Sequence, residues 1–223
     1  MDTHLALSAS QPIIHADGSG SDEWVSGRGR AGWARSRPAR APGDNVSVSV
    51  QLNFRPAVAD DADDLVRLVR SAYREADTGG WTTEAHLVAD ERIDAQQLRA
   101  KIAQPDTVVL CAHTEDDVLV ACCELVGRDR GLAYFGMFAV SPALQAAGIG
   151  RRMLAAAEQA ARERWGARRM EMTVIAQRDE LIAWYQRRGY QPTGEQRPFP
   201  YEHLLNGVAR RDDLYFVVLA KAL

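Results

Sequence analysis

The sequence predicts an α/β fold built on a mixed, mostly antiparallel central sheet flanked by helices. Three observations carry this. Apolar, strand-like runs between Thr107 and Val140 are parted by short turn signals, Glu115-Asp116-Asp117 and Gly127 to Gly131, as in successive hairpins. A strand, a helix and a further strand then run from Leu132 to Ile175, an order that suits a parallel crossover. A last apolar run, Leu214 to Ala220, reads as a closing strand.

Taken in order, Val46, Val48 and Val50 alternate with polar residues and predict a strand to about Phe54, ended by Pro56. Asp60 to Asp64 put acids in the first turn of a helix carrying Leu65, Leu68, Val69 and Ala72 at helical spacing. After Gly79-Gly80-Trp81, Thr82 or Thr83 can cap a second helix, and another helical stretch covers Asp94 to Ala103. Pro105 marks a boundary. Strands follow at Thr107 to Thr114, Val118 to Val126 and Leu132 to Val140, the last broken by Pro142. A helix from about Gly150 to Trp165 places Met153, Leu154, Ala157 and Ala161 on one face. Arg168 to Ile175 reads as a strand, Asp179 to Arg188 as a helix stopped by Gly189, and Tyr190 as the start of a short strand. Gly194 to Arg211 reads as a polar, proline-bearing loop.

Of 223 residues, 46% are hydrophobic and 26% charged, the balance of a globular chain with room for a core. Residues 1–45 differ. They are rich in Gly, Arg, Pro, Ala and Ser without periodicity, and predict a disordered extension ahead of a folded domain at 46–223. Arg28, Arg30, Arg35, Arg37 and Arg40 resemble a nucleic-acid arm, but Asp2, Asp17, Asp22, Glu23 and Asp44 cancel them, and the net charge is −3. A nucleic-acid partner is therefore not expected.

Cys111, Cys122 and Cys123 lack disulfide or metal spacing and read as small buried side chains in a reducing compartment. His86, His113 and His203 have no metal-ligand spacing either, so no metal is expected. No apolar run nears the roughly 20 residues of a membrane span, and no signal pattern opens the chain. The expectation is a soluble cytoplasmic protein with no membrane partner.

The segment that carries chemistry is a strand, Tyr134 to Val140, then Ser141-Pro142-Ala143-Leu144, then Gln145-Ala146-Ala147-Gly148-Ile149-Gly150 opening the helix with Arg151-Arg152. A helix start offers unpaired N–H groups and the positive end of the dipole, and glycines let backbone approach a ligand. This reads as a site for an anion such as phosphate or as a plain turn before a helix. It lacks the Gly-Lys-Ser/Thr of a nucleoside triphosphate loop and the third glycine of a dinucleotide fold.

Here the chain resembles the GCN5-related N-acetyltransferase (GNAT) superfamily. Val140-Ser141-Pro142 and Gln145 to Gly150 match its Gln/Arg-x-x-Gly-x-Gly/Ala signature after a strand. Trp184-Tyr185-Gln186-Arg187-Arg188-Gly189-Tyr190 matches a second family element about 35 residues on. The family often has Asn where this chain has Arg178, a departure that could give the site a cation facing the cofactor or an acidic substrate.

The resemblance implies acetyl-CoA as co-substrate and direct transfer to a primary amine of a small molecule, amino acid or peptide. It implies that backbone from Gln145, Ala146, Ala147, Gly148, Ile149 and Gly150 to Arg151 binds pyrophosphate. Arg151 and Arg152 are candidate phosphate contacts or a solvated turn. The strand around Met137, Phe138, Ala139 and Val140 would hold the pantetheine arm. Tyr185 would protonate the leaving thiolate, a phenol of suitable basicity. An amine of pKa about 10.4 needs a base more than one of about 8; Glu124 is the candidate, against an outward-facing strand carboxylate, with Glu171 the weaker alternative. Trp81, Glu84, His86, Arg92 and Asp94, with Arg197-Pro198-Phe199-Pro200-Tyr201, read as an acceptor-pocket wall or as packed loops. A non-catalytic acyl-CoA-binding regulatory domain is the alternative function, and dimers are common among relatives, so a homodimer is left open.

Overall fold

A computed structural model of the chain describes residues 51–74, 87–89, 93–144, 148–204 and 208–223. The 1–45 extension, the strand expected from Val46 and the helix capped near Thr82 fall outside these residues.

The strands β1 (Asn53–Pro56), β3 (Thr107–His113), β4 (Leu119–Arg128), β5 (Leu132–Val140), β6 (Arg169–Ile175), β7 (Gln191–Pro198) and β9 (Tyr215–Ala222) form one sheet in the order β1-β3-β4-β5-β6-β9-β7. A separate pair joins β2 (Val88–Ala89) to β8 (Val208–Ala209). All pairings in the large sheet are antiparallel except β5 with β6, which are linked by a crossover through α3 (Ile149–Trp165). The mixed, mostly antiparallel sheet expected from the sequence is present.

Helices cover both faces. On one side α3 and α4 (Asp179–Gln186) bury Met153, Leu154, Ala157, Leu181, Trp184 and Tyr185 against β3 to β6. On the other, α1 (Ala62–Arg74) and α2 (Ala95–Ile102) bury Leu65, Leu68, Val69 and Leu98 with Val109, Cys111, Cys122, Met137 and Ala139. Two-sided cover explains why every residue of β3 is buried and why its sequence is a continuous apolar run. Cys122 and Cys123 face opposite clusters, as strand alternation requires. Burial pushes the Cys111 thiol up to about 12, so it packs as an apolar group.

The first strand ends at Pro56, as expected; Pro56 is its last residue, opposite Leu110, which an edge strand tolerates because one side needs no donor. Two expectations are corrected. The segment from Gly194 does not begin a loop: β7 runs to Pro198 on the far edge of the sheet, and the loop starts there. Gly127, read as a turn residue, instead lies within β4, and a Cβ there would meet the Trp165 ring at 2.6–2.7 Å.

Two ion pairs fasten the sheet. Glu158 of α3 accepts from Lys221 Nζ at 2.7 and 2.8 Å and from the Tyr190 hydroxyl at 3.1 Å, tying the helix to β9. Arg55 grips Asp61 through both terminal nitrogens, at 2.7 and 2.8 Å, and its Nη2 lies 3.4 Å from His113.

Gly127→Ala should lower stability by about 1–3 kcal/mol, because the Trp165 ring must move; denaturant melts measure it. The Arg55 guanidinium holds the Asp61 carboxyl down to about 2 from 3.8. A depressed carboxylate stabilises the fold above its unfolded value and loses that contribution as pH falls through the folded one. Asp61→Asn should therefore be less stable than the natural protein at neutral pH, with the difference shrinking between about pH 4 and 2, as thermal melts across that range will record.

Candidate active site

The parallel pair β5/β6 is joined for only three residue pairs, Leu132↔Arg169, Ala133↔Met170 and Tyr134↔Glu171. Past Tyr134 the register ends, although β5 continues to Val140 and β6 to Ile175. The two strands thus form a fork. β6 turns instead wholly to β9, with which it pairs over seven positions.

The arm of β5 beyond the fork also departs from regular geometry. Cys122 opposes Ala139 and Glu124 opposes Gly136, so two β5 residues, Met137 and Phe138, stand against Cys123. This is a bulge, and Met137 has φ of 41°, a left-handed value rare for a side chain of its kind. It re-aims the strand at its centre, where backbone groups on the β6 side have no strand partner.

The strand leads to the start of α3. Gly148 sits at its N-cap with φ of 65°, a conformation glycine adopts without steric cost. The first intrahelical bond there is Arg152 N–H to Gly148 O at 3.2 Å, so the amides of Ile149, Gly150 and Arg151 lack helical acceptors. Ile149 and Gly150 are buried, Arg151 is exposed and Arg152 partly so. Gln145, Ala146 and Ala147 fall outside the described residues. Phe138, Ala139 and Val140 are each about 1% exposed.

α4 closes the same side. Arg178 is its N-cap, 5% exposed, its carbonyl accepting from Ile182 N–H at 3.0 Å. Tyr185 is fully buried, its ring 5.1 Å from Trp184 and 5.8 Å from Tyr190, both edge-on; Trp184 in turn lies 6.4 Å from Phe138 of β5. Phe138, Val140, Ile149 and Tyr185 all belong to the hydrophobic core on this face of the sheet.

Glu124 lies on the opposite face. It is 2% exposed, and Lys101 of α2 donates to its Oε1 at 2.6 Å. Its Oε2 is buried without a hydrogen-bond partner among the described residues. The reading of Glu124 as an outward-facing carboxylate is thus excluded. On that face the Tyr134 hydroxyl meets Thr173 Oγ1 at 2.9 Å, just past the last paired row at the closed end of the fork, and burial raises its pKa. Glu171 accepts from Arg128 Nη1 and Arg197 Nη2, both at 3.3 Å, and the Arg128 guanidinium covers the Tyr134 ring at 4.8 Å. Sequence reasoning did not single out Lys101, Arg128, Tyr134 or Thr173. The pattern of alternation on β4 could have placed Arg128 on the face of Glu124, four residues away.

Other expected pocket residues separate. Asp94 caps α2, its carboxylate accepting from Gln97 N–H at 2.7 Å. The Phe199 ring packs edge-on against Tyr201 and tilted against Phe216, and the Tyr201 hydroxyl accepts from Leu214 N–H at 2.7 Å, so these aromatics form a packed loop. Trp81, Glu84, His86 and Arg92, with the His203 side chain, lie outside the described residues. Among the described residues no group of His, Cys, Asp or Glu could hold a metal, and no helix is long and apolar enough to cross a membrane.

A family profile described as Acetyltransferase (GNAT) family matches residues 66–190, more than half of the chain. The chain belongs to this acetyltransferase family. Solved structures agree on the fold. A spermidine N-acetyltransferase SpeG chimera from Vibrio cholerae and hSSAT is 14% identical with a TM-score of 0.58, covering 77% of this chain and 95% of its own. The PaiA N-acetyltransferase of Thermoplasma acidophilum, in complex with coenzyme A, is 16% identical with a TM-score of 0.57, covering 78% and 99%. An IAA acetyltransferase of Bacillus cereus is 15% identical with a TM-score of 0.53, covering 78% and 100%. No curated protein sequence matches the chain.

Proposed function

We propose that the protein transfers an acetyl group from acetyl-CoA to a primary amine of a small molecule, amino acid or peptide, by direct attack in a ternary complex. The observation that carries this reading is the fork between β5 and β6, which opens toward the N-terminus of α3. That the PaiA structure holds coenzyme A on the same fold adds support. We assign the activity to a domain of residues 46–223, with 1–45 an extension outside it, and regard a soluble, cytoplasmic enzyme as its setting.

The pyrophosphate fits the start of α3. Amides from Gln145 to Arg151 would donate charge-assisted hydrogen bonds worth about 1.5–3 kcal/mol each, more than the about 0.3–1 kcal/mol of the helix dipole. Arg151 and Arg152 would supply further charge. The pantetheine arm would lie along Phe138, Ala139 and Val140, using the strand edge that β6 leaves open. The bulge at Met137 would turn a backbone N–H toward the thioester oxygen. Arg178, buried at the start of α4, would face the cofactor.

The amine nitrogen attacks the thioester carbonyl carbon from the α1/α2 face, where Glu124 removes its proton through the free oxygen or a bridging water. The carbon–sulfur bond then breaks, and the thiolate takes a proton from Tyr185 on the other face. Acid and base stand on opposite faces of the sheet, so the two proton transfers do not compete for one group.

A non-catalytic acyl-CoA-binding domain is the second reading. The complete burial of Tyr185 favours it, since the sulfur must displace packing at the fork to meet the hydroxyl. Turnover separates the two.

Tyr185→Phe should lower kcat by roughly 10–10³-fold with little change in acetyl-CoA affinity. An unchanged kcat, with chemistry rate-limiting, removes Tyr185 as the acid. Gly150→Trp should abolish acetyl-CoA binding in calorimetry; retained binding would sink the helix-start assignment.

A further inference from the structure

We propose that the acceptor is an amine that also carries a carboxylate, an amino acid in the simplest case, with Arg128 and Arg197 holding the carboxylate and Glu124 the amine. This rests on the acetyltransferase reading and names the substrate class of that site.

Two sets of polar atoms on the α1/α2 face of the sheet are mismatched to the protein around them, in opposite senses. The first has surplus donors. Arg128 ends β4 and Arg197 comes from β7 at the far edge, yet both converge on the single oxygen Glu171 Oε1 at 3.3 Å. A guanidinium has five N–H donors. Among the described residues Arg128 uses one of them in a side-chain hydrogen bond, and Arg197 uses two, the second to Glu195. Glu171 is 8% exposed and balances one of the two cations. Glu195, 54% exposed, is screened by solvent and balances the other only weakly. The arginines themselves are 25% and 32% exposed, so their remaining donors reach open space. Planar forks with spare N–H groups are shaped for bidentate binding of a carboxylate.

The second set has a surplus acceptor. Glu124 Oε2 is buried without a donor among the described residues, while Oε1 is bound by Lys101. A buried carboxylate oxygen in this state calls for a cationic donor. A substrate ammonium supplies one and gives up its proton in the reaction.

Register sets the spacing. Glu124 opposes Gly136, beside the bulge, and Val126 opposes Tyr134, whose ring lies under the Arg128 guanidinium. Tyr134 is thus one same-face step, roughly 7 Å, along the sheet from the Glu124 row. An ammonium at Glu124 and a carboxylate over Tyr134 are separated on the scale of a small amino acid. The polarity is also defined: the amine end lies at the bulge, where the thioester would be, and the acid end lies at the closed end of the fork.

Matched pairs of acceptors test this, each an amino acid and its decarboxylated amine, assayed for release of coenzyme A. The natural protein should favour the acids by about 10–100-fold in kcat/KM, the worth of a charge-assisted hydrogen-bond pair. In Arg128→Gln and Arg197→Gln that ratio should fall toward one, through KM for the acid. Arg128→Lys, which keeps the charge but not the fork, should retain part of it. Calorimetry with acetyl-CoA verifies that each variant is folded. Equal use of acids and amines by the natural protein, or an unmoved ratio in a variant that binds acetyl-CoA, overturns the carboxylate proposal alone. Acetyl-CoA binding with neither class acetylated overturns the acetyltransferase reading and this proposal together.

Discussion

The function proposed for this molecule depends on the parting of two parallel strands. β5 and β6 share three residue pairs and then separate. An interrupted ladder leaves backbone donors and acceptors unmet, which a folded chain avoids unless a partner supplies what is missing. Each strand finds its remaining stability elsewhere. β6 is held by β9 over seven positions, and β5 by β4 on both sides of the bulge. The fork is therefore a gap in a well-supported sheet, and the β5 backbone beside it is where the proposed pantetheine arm would lie.

The fork also explains how two helices of different roles reach one point. α3 follows β5 after a short connection, and the amides of its first turn lack helical acceptors. α4 starts where β6 ends and lays Trp184 against Phe138 and Tyr185 beside Tyr190. Glu158, bound by both Tyr190 and Lys221, holds α3 to the strand that backs β6. The apolar residues around Tyr185 thus lie on one face of the sheet. The other face carries the polar residues, Glu124, Tyr134, Glu171 and their arginine and lysine partners. On the proposed function, this division would let a cofactor and an acceptor enter from opposite sides and meet at the gap.

Much of this was legible in the sequence. The hairpins from Thr107 to Val140 have long apolar strands and explicit turn residues, and the crossover through α3 has a clear amphipathic stripe. The glycine segment and Tyr185 carry family motifs. What stayed hidden has a physical reason in each case. β7 contains Pro192, Gly194 and Pro198, which resemble loop residues, but an edge strand needs hydrogen bonds on one side only. The bulge at Met137 has no marker, because a methionine in a left-handed conformation is imposed by its surroundings and not by its own preference. The Lys101–Glu124 pair and the meeting of Arg128 and Arg197 on Glu171 join residues distant in the chain, and only the register of the sheet sets them together.

The central claim is that the gap between β5 and β6 is the seat of acetyl-CoA. Amide hydrogen exchange, followed residue by residue with and without acetyl-CoA, tests it most directly. The account predicts that protection rises on β5 between Gly136 and Val140 and on the first turn of α3 from Gly148 to Arg152, while β1, β3 and β7 are unchanged. Protection confined to other elements, or bound acetyl-CoA that leaves the Gly136 to Val140 amides as they were, would contradict it.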